Sequence, residues 1–309
     1  MRRLWISYTV KNPEAVARRV LILALVAAPG ACLAEGVLDP AGPIGAQEKI
    51  ILFDALAIML AIVIPVIITT LGFAWWFRAS NTRAKYRPDW AFSGRLEIVT
   101  WSIPLMIVMF LGGMAWIASH DLDPAKPINP ATPPLEVEVV SLDWKWLFIY
   151  PDQGVASVNQ LVVPAGTPIH FRLTSASVMN SFFVPRLGSQ IYTMAGMTTQ
   201  LNLMADKPGV FSGLSAQFSG AGFSEMRFKV VAVPQNAFAD WVAATKAKGG
   251  ALDGGVYAQL VKPSKANPVT TYSAVPPGLF AAILADSAPG SMPPHAQPMA
   301  MAQPSGQKD

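Results

Sequence analysis

Two long uncharged stretches dominate the first part of the chain. Ala55 to Phe77 is a run of 23 residues without a charge, and Ile98 to Ser119 is a second of 22. At a helical rise of about 1.5 Å per residue the first run makes about 34 Å of helix, enough to cross the roughly 30 Å hydrocarbon layer of a bilayer. Each run holds an interior proline, Pro65 or Pro104, which spans tolerate better than soluble helices do. Trp75, Trp76 and Trp116 lie near the ends, where interfacial aromatics are expected. The pattern predicts transmembrane helices over 50–77 and 96–119, joined by a loop at 78–95. After residue 119 the periodicity changes. Residues 120–134 are rich in proline and read as a linker. Short segments that alternate apolar and polar, or run continuously apolar, follow at 135–141, 144–150, 159–166, 168–175, 199–205 and 226–233, with Pro and Gly between them. That spacing predicts a β-sandwich or small barrel over 135–234. A helix is expected at 235–248, opening an extension over 235–285 that carries Tyr257, Tyr272 and Phe280. The end, 286–309, is rich in Pro, Met, Ala and Gln and reads as a disordered tail.

Charge placement orients these elements. The loop between the two runs holds Arg78, Arg83, Lys85, Arg87 and Arg95 against Asp89 alone, whereas acidic residues flank the hairpin on its other side: Glu35, Asp39 and Glu48 before it, Asp121 and Asp123 after it. The positive-inside rule sets the loop in the cytoplasm and the segments beyond residue 120 across the membrane, in the periplasm of a bacterium. Residues 1–31 read as a secretory leader. A basic region ends at Arg18-Arg19, a short apolar run covers Val20–Ala28, and small residues Gly30-Ala31 precede Cys32. This resembles a bacterial lipoprotein signal, which makes Cys32 the expected lipidated first residue of the mature chain. Pro29 departs from that signal's usual aliphatic residue. Residues 32–49 are then a periplasmic N-terminal segment.

Composition excludes several function classes. The 309 residues are 52% hydrophobic and only 14% charged, where soluble domains are nearer a quarter charged. The formal charge of +4 traces to the leader, with five basic residues and one acidic one before Cys32, so it gives no reason to expect nucleic acid. One cysteine rules out an intramolecular disulfide framework or a CxxC motif. Three histidines, His120, His170 and His295, stand far apart, so a protein-only nitrogen and sulfur metal site is not expected.

Three stretches carry a resemblance to a known family: RLEIVTWSIP at 95–104, SLDWKWLFIYPDQGVASVN at 141–159, and SVMNSFFVPRLGSQIYTMAGM at 177–197. Over roughly residues 45–285 the chain resembles subunit II of the haem–copper respiratory oxidases, and within it the ubiquinol oxidase branch of cytochrome bo type. The resemblance implies a membrane α plus all-β fold: a two-helix hairpin, then a cupredoxin-like Greek-key barrel or sandwich. In the cytochrome c oxidase branch this domain carries a dinuclear copper centre, with Cys, Cys four later, His eight later, Met eleven later and an upstream His-Ser-Phe. Aligned on Met226, those positions hold Ser215, Ser219 and Phe223, with Asn180 upstream and Gln217 at the carbonyl ligand. The spacing is kept and the ligands are gone. A thiolate is soft and bridges two coppers, whereas a serine hydroxyl is hard and stays protonated, and phenylalanine has no donor.

The resemblance therefore implies a non-redox subunit of a proton-pumping quinol oxidase in the bacterial inner membrane. No cofactor is expected in this chain. Haems and one copper are expected in subunit I, ubiquinol is the substrate of the complex, and subunits III and IV and membrane lipid are further partners. Cytochrome c is not expected as donor. Glu97 opens the second span, where the family has a glutamate at the mouth of a proton path; Asp54 reads as an interfacial acid. Trp144 and Trp146, two apart, are expected on one strand face packing against subunit I. Arg186 is a candidate partner of subunit I acids or haem propionates, while His120 and His170 read as ordinary polar residues. The alternative is a membrane-anchored periplasmic binding or assembly module without oxidase activity, which predicts no haem-containing partner.

Overall fold

A computed structural model describes residues 36–85 and 87–287. Cys32, His295 and the tail lie outside the described residues. Two helices come first, α1 over Pro43–Trp76 and α2 over Gly94–Asp121. Both are long and apolar enough to cross a membrane, and their apolar cores are not buried within the chain. Leu, Ile, Val and Phe side chains face outward all round, as lipid-facing or subunit-facing helices require. Helix α1 spans 34 residues and so exceeds the span of the uncharged run. Its first turns, PIGAQEK, leave the membrane-length segment and dock on the β-domain. Pro43 suits the first helical position because it has no N–H to leave unpaired.

The β-domain is a two-layer sandwich. Its strands are β1 Leu135–Leu142, β2 Lys145–Tyr150, β3 Val155–Val158, β4 Gln160–Pro164, β5 Ile169–Ser175, β6 Asn180–Phe183, β7 Ile191–Thr193, β8 Thr199–Leu203, β9 Gly209–Ser215, β10 Arg227–Val233, β11 Gly250–Ala251 and β12 Thr270–Ala274. One sheet runs β11-β12-β3-β2-β1-β5-β8 and the other β4-β10-β9-β6-β7. Parallel pairings β1–β5 and β4–β10 amid antiparallel neighbours mark crossovers between the layers. The membrane α plus cupredoxin-like β architecture is the one the resemblance implied. Trp146, Phe148, Phe171, Phe182 and Phe228 form the aromatic centre between the sheets, with Phe182 and Phe228 stacked at 5.0 Å. Tyr150 donates its hydroxyl to the Val162 carbonyl at 2.9 Å, which satisfies the polar end of a buried ring.

The larger sheet is covered on its outer face as well. The helix α3, Gln235–Lys248, has the bounds expected from sequence. Beyond it α4, Gly254–Leu260, and α5, Leu279–Asp286, bring Leu252, Phe280 and Ile283 onto Val140, Leu142, Leu147, Ile149 and Val158. This explains the pattern of β1. Its outward positions are polar at Glu136 and Glu138, which pair with His170 and Arg172, and apolar at Val140 and Leu142, where the apolar cover begins.

The N-terminal segment is fastened to the second layer. Ala41 N donates to the Arg186 carbonyl at 2.7 Å, Gly45 N to Leu187 O at 3.0 Å, and Asp206 N to Ala41 O at 2.9 Å. A Cβ at Gly42 would lie 2.1 Å from the Met204 carbonyl, so only glycine permits this approach. The start of α1 and the β-domain thus sit together at one end of the helix hairpin.

Candidate functional site

The loops that close one end of the sandwich gather the positions at which the resemblance sets copper ligands. Asn180 begins β6, Ser215 ends β9, and Gln217, Ser219, Phe223 and Met226 lie on or beside the loop from β9 to β10, which includes a 3-10 turn at Phe223–Glu225. Antiparallel pairing of β6 with β9 sets Phe182 opposite Ser215 and brings Asn180 close by. Asn180, Ser215 and Met226 are 1%, 2% and 1% exposed. Ser215 Oγ donates to Asn180 Oδ1 at 3.1 Å or to the Gln217 carbonyl at 3.2 Å, and lies 3.4 Å from the Ser181 amide N–H, which donates to it. Ser219 Oγ points to the Met226 sulfur at 3.9 Å. Ser215 N donates to Met226 O at 3.1 Å.

This donor set does not fit copper. It offers an amide, two hydroxyls, a carbonyl and one thioether, while Phe223 turns its ring edge-on to Phe218, 5.6 Å away. Hydroxyls that keep their protons and hydrogen-bond within the protein cannot replace bridging thiolates. Among the described residues no three His, Cys, Asp or Glu side chains converge. The cluster is a hydrogen-bonded plug that closes the end of the sandwich.

Trp144 and Trp146 do not share a strand face. Trp144 has φ +62° and sits in the two-residue turn between β1 and β2, since Leu142 pairs with Lys145. Its indole N–H donates to the Ser219 carbonyl at 3.0 Å, and its ring lies on Gly222, where a Cβ would come within 2.4 Å. Trp146 points into the sandwich with no exposed surface and packs edge-on to Phe182 and Phe228. Its expected contact with subunit I is corrected: a fully enclosed ring has no face to offer a partner. The left-handed turn breaks the period-two relation that the spacing suggested. Arg186 has a partner within this chain. Its guanidinium pairs within this chain, with the Asp39 carboxylate at 2.6 Å and the Asp39 carbonyl at 2.9 Å, and it lies over the Phe211 ring.

Glu97 lies in the first turn of α2, exposed, with its backbone N–H on Ser93 O at 3.0 Å. Trp90, Phe92, Ser93, Leu96 and Thr100 line a small hollow beside it. The turn is thus open to water or to a neighbouring subunit. His170 pairs with Glu136 at 2.8 Å, and the His120 ring lies tilted against Trp116 with 4.5 Å between ring centres.

Sequence reasoning missed Lys145. It is 1% exposed and donates to Lys262 O at 2.8 Å and Ser264 Oγ at 2.6 Å, tying the extension to β2. Burial pushes its amine below the usual lysine range, against the pull of Asp143. Its place in the DWKWLF segment, between two tryptophans, was the available signal.

The β-domain matches the family model described as "Cytochrome C oxidase subunit II, periplasmic domain" over residues 151–233. The "COX Aromatic Rich Motif" matches residues 246–286, the extension that covers the outer sheet face. The chain is 52% identical to cytochrome bo(3) ubiquinol oxidase subunit 2 of Pseudomonas aeruginosa, over 80% of this chain and 75% of that protein. It is 51% identical to ubiquinol oxidase subunit 2 of Acetobacter aceti, over 81% of each. The chain belongs to the ubiquinol oxidase subunit 2 family. A more distant relative is quinol oxidase subunit 2 of Bacillus cereus, 37% identical over 74% of this chain and 78% of that one. Among solved structures, the periplasmic domain of cytochrome oxidase subunit II of Bradyrhizobium japonicum is 28% identical and covers 37% of this chain and 94% of that one, with a TM-score of 0.36.

Proposed function

We propose that this chain is the non-redox second subunit of a proton-pumping terminal oxidase that oxidises ubiquinol and reduces oxygen to water. One observation carries the reading: buried Asn180 and Ser215 are hydrogen-bonded to each other at positions where copper ligands would be needed. Without thiolate and imidazole donors the domain has no one-electron carrier with which to accept electrons from a water-soluble donor such as cytochrome c. A lipid-soluble quinol bypasses that need, because it reaches a haem in the membrane directly. The names of the relatives support the same donor.

In this reading the haems and one copper belong to subunit I, and subunits III and IV complete the complex. The two exposed apolar helices pack beside subunit I in the bacterial inner membrane, and the β-domain caps its periplasmic side. Trp144, half-buried over the loop from β9 to β10, remains the aromatic candidate for that contact. Glu97, at the cytoplasmic start of α2, collects protons for a path in subunit I. Cys32 carries lipid and adds to the anchoring by the helices. Mass spectrometry of the mature N-terminal peptide tests the lipid.

Purification of the chain from its native membrane tests the whole. Co-purifying haem subunits with ubiquinol oxidase activity are expected, with no copper beyond that of subunit I. A chain that purifies without any haem-containing partner overturns the reading.

A further inference from the structure

At the membrane end far from the β-domain, the turn between α1 and α2 forms a basic hollow. Its volume is about 760 Å³, and Trp76, Phe77, Arg78, Arg83, Lys85, Arg87 and Trp90 supply its main walls. Four cations thus line one concavity directly beyond the apolar part of α1. The rings of Trp76, Phe77 and Trp90 are 46%, 60% and 62% exposed, which places amphipathic and apolar surface at the membrane–water boundary.

The turn is held open by its own bonds. Arg78 Nη1 donates to the Trp75 carbonyl at 2.8 Å and its Nε to Ser80 Oγ at 3.0 Å, with the guanidinium 4.8 Å from the Trp75 ring centre. Asn81 Nδ2 donates to Trp76 O, and Asn81 Oδ1 accepts from Arg83 N at 3.1 Å. Arg78 thereby caps the last carbonyls of α1 and neutralises the negative end of the helix dipole. The other three cations have no such occupation. Among the described residues, the side chains of Arg83, Lys85 and Arg87 make neither an ion pair nor a hydrogen bond, and Asp89 is paired with none of them.

Positive charge on a short loop serves to orient a hairpin, and that role needs no concavity, no convergent unpaired guanidinium groups and no aromatic wall. We propose that this hollow binds the phosphate headgroup of an anionic phospholipid. Arg83 and Arg87 present planar forks suited to phosphate oxygens, and Lys85 adds a point charge. Trp76, Phe77 and Trp90 pack against the glycerol backbone and the first acyl carbons. Basic pockets between membrane helices take such headgroups by the same combination of field and shape.

The test uses the full chain purified in detergent and native mass spectrometry, with dioleoylphosphatidylglycerol and dioleoylphosphatidylcholine as probes. One phosphatidylglycerol retained with about tenfold preference over phosphatidylcholine is expected. Arg83→Gln with Arg87→Gln should lower that retention about tenfold or more. Arg95→Gln, which removes a charge outside the hollow, should leave it unchanged. Excess inorganic phosphate should not displace the lipid. Circular dichroism checks that the neutralised chain is folded. If it is not, Trp90→Ala keeps every charge and should still weaken retention. Equal retention of the two lipids overturns the proposal. So does an equal loss in Arg95→Gln, which would mean diffuse attraction, or displacement by phosphate, which would mean a soluble-anion site.

Discussion

Ser215 and Asn180 are joined by a 3.1 Å hydrogen bond between buried side chains, one at the end of β9 and the other at the start of β6. The pair closes the end of the sandwich with local dipoles. If the loop keeps the geometry of a ligand cage, restoring donors should restore metal binding. Asn180→His, Ser215→Cys, Ser219→Cys and Phe223→His together should yield a coloured protein when the chain is purified apart from its partners and loaded with copper. The unaltered chain under the same conditions should stay colourless. A folded but colourless quadruple variant would show that the loop backbone has diverged.

Ser215→Ala tests the network from the other direction. It removes the hydroxyl shared by Asn180, Ser181 and Gln217 and leaves buried polar groups unsatisfied, at a cost of about 1–3 kcal/mol. A lowered thermal midpoint is expected. Ser219→Ala, whose hydroxyl reaches only a sulfur at 3.9 Å, should cost much less.

The docking of the N-terminal segment should depend on backbone fit more than on charge. Asp39 is 56% exposed at its side chain, so Arg186–Asp39 is a surface pair worth about 0–1 kcal/mol, and Asp39→Ala should be mild. Gly42→Val drives a side chain into the Met204 carbonyl and should release the segment. Hydrogen exchange at the Ala41 and Gly45 amides distinguishes the two, with fast exchange expected only in the valine variant.

Glu138 makes stability depend on pH. Burial raises its pKa above the usual carboxylate value, partly offset by Arg172 and increased by Glu136. The folded chain therefore holds this proton where the unfolded chain has lost it. Stability from this group falls as pH rises from the unfolded value through the folded one. Glu138→Gln should flatten that decline in thermal scans that start in the ordinary carboxylate range and run upward in pH. A decline of the same size in the variant would assign it to other groups.

Glu97→Ala should slow ubiquinol oxidation by the purified complex while its haem content stays normal, and Glu97→Asp should recover part of the rate. A role confined to the dipole of α2 would be worth about 0.3–1 kcal/mol and would alter stability with turnover intact. Steady-state rates and haem spectra on the same preparation separate the two.

Much of this was legible along the chain. Uncharged runs announced both helices, alternation announced β1, β5 and β10, and α3 ran between the expected bounds. Strands β3, β6, β7, β9, β11 and β12 were missed because they are short or hold Ser, Gly and Asn, residues with weak strand signatures. Each is held by pairing with neighbouring strands. Helix α1 began at Pro43 because its polar first turns find partners on the β-domain, which hydropathy does not register.

The sequence by itself determined the class of the molecule and the chemistry its copper positions lack, because those follow from residue type and spacing. Tertiary structure alone decided direction and partnership. Trp144 left the strand face because a left-handed turn rotated it onto Gly222, and Trp146 became core. Arg186 found Asp39, 147 residues earlier in the chain, because the segment before α1 docks on the sandwich. Such contacts join residues far apart in sequence, and spacing along the chain holds no information about them until the backbone brings them together.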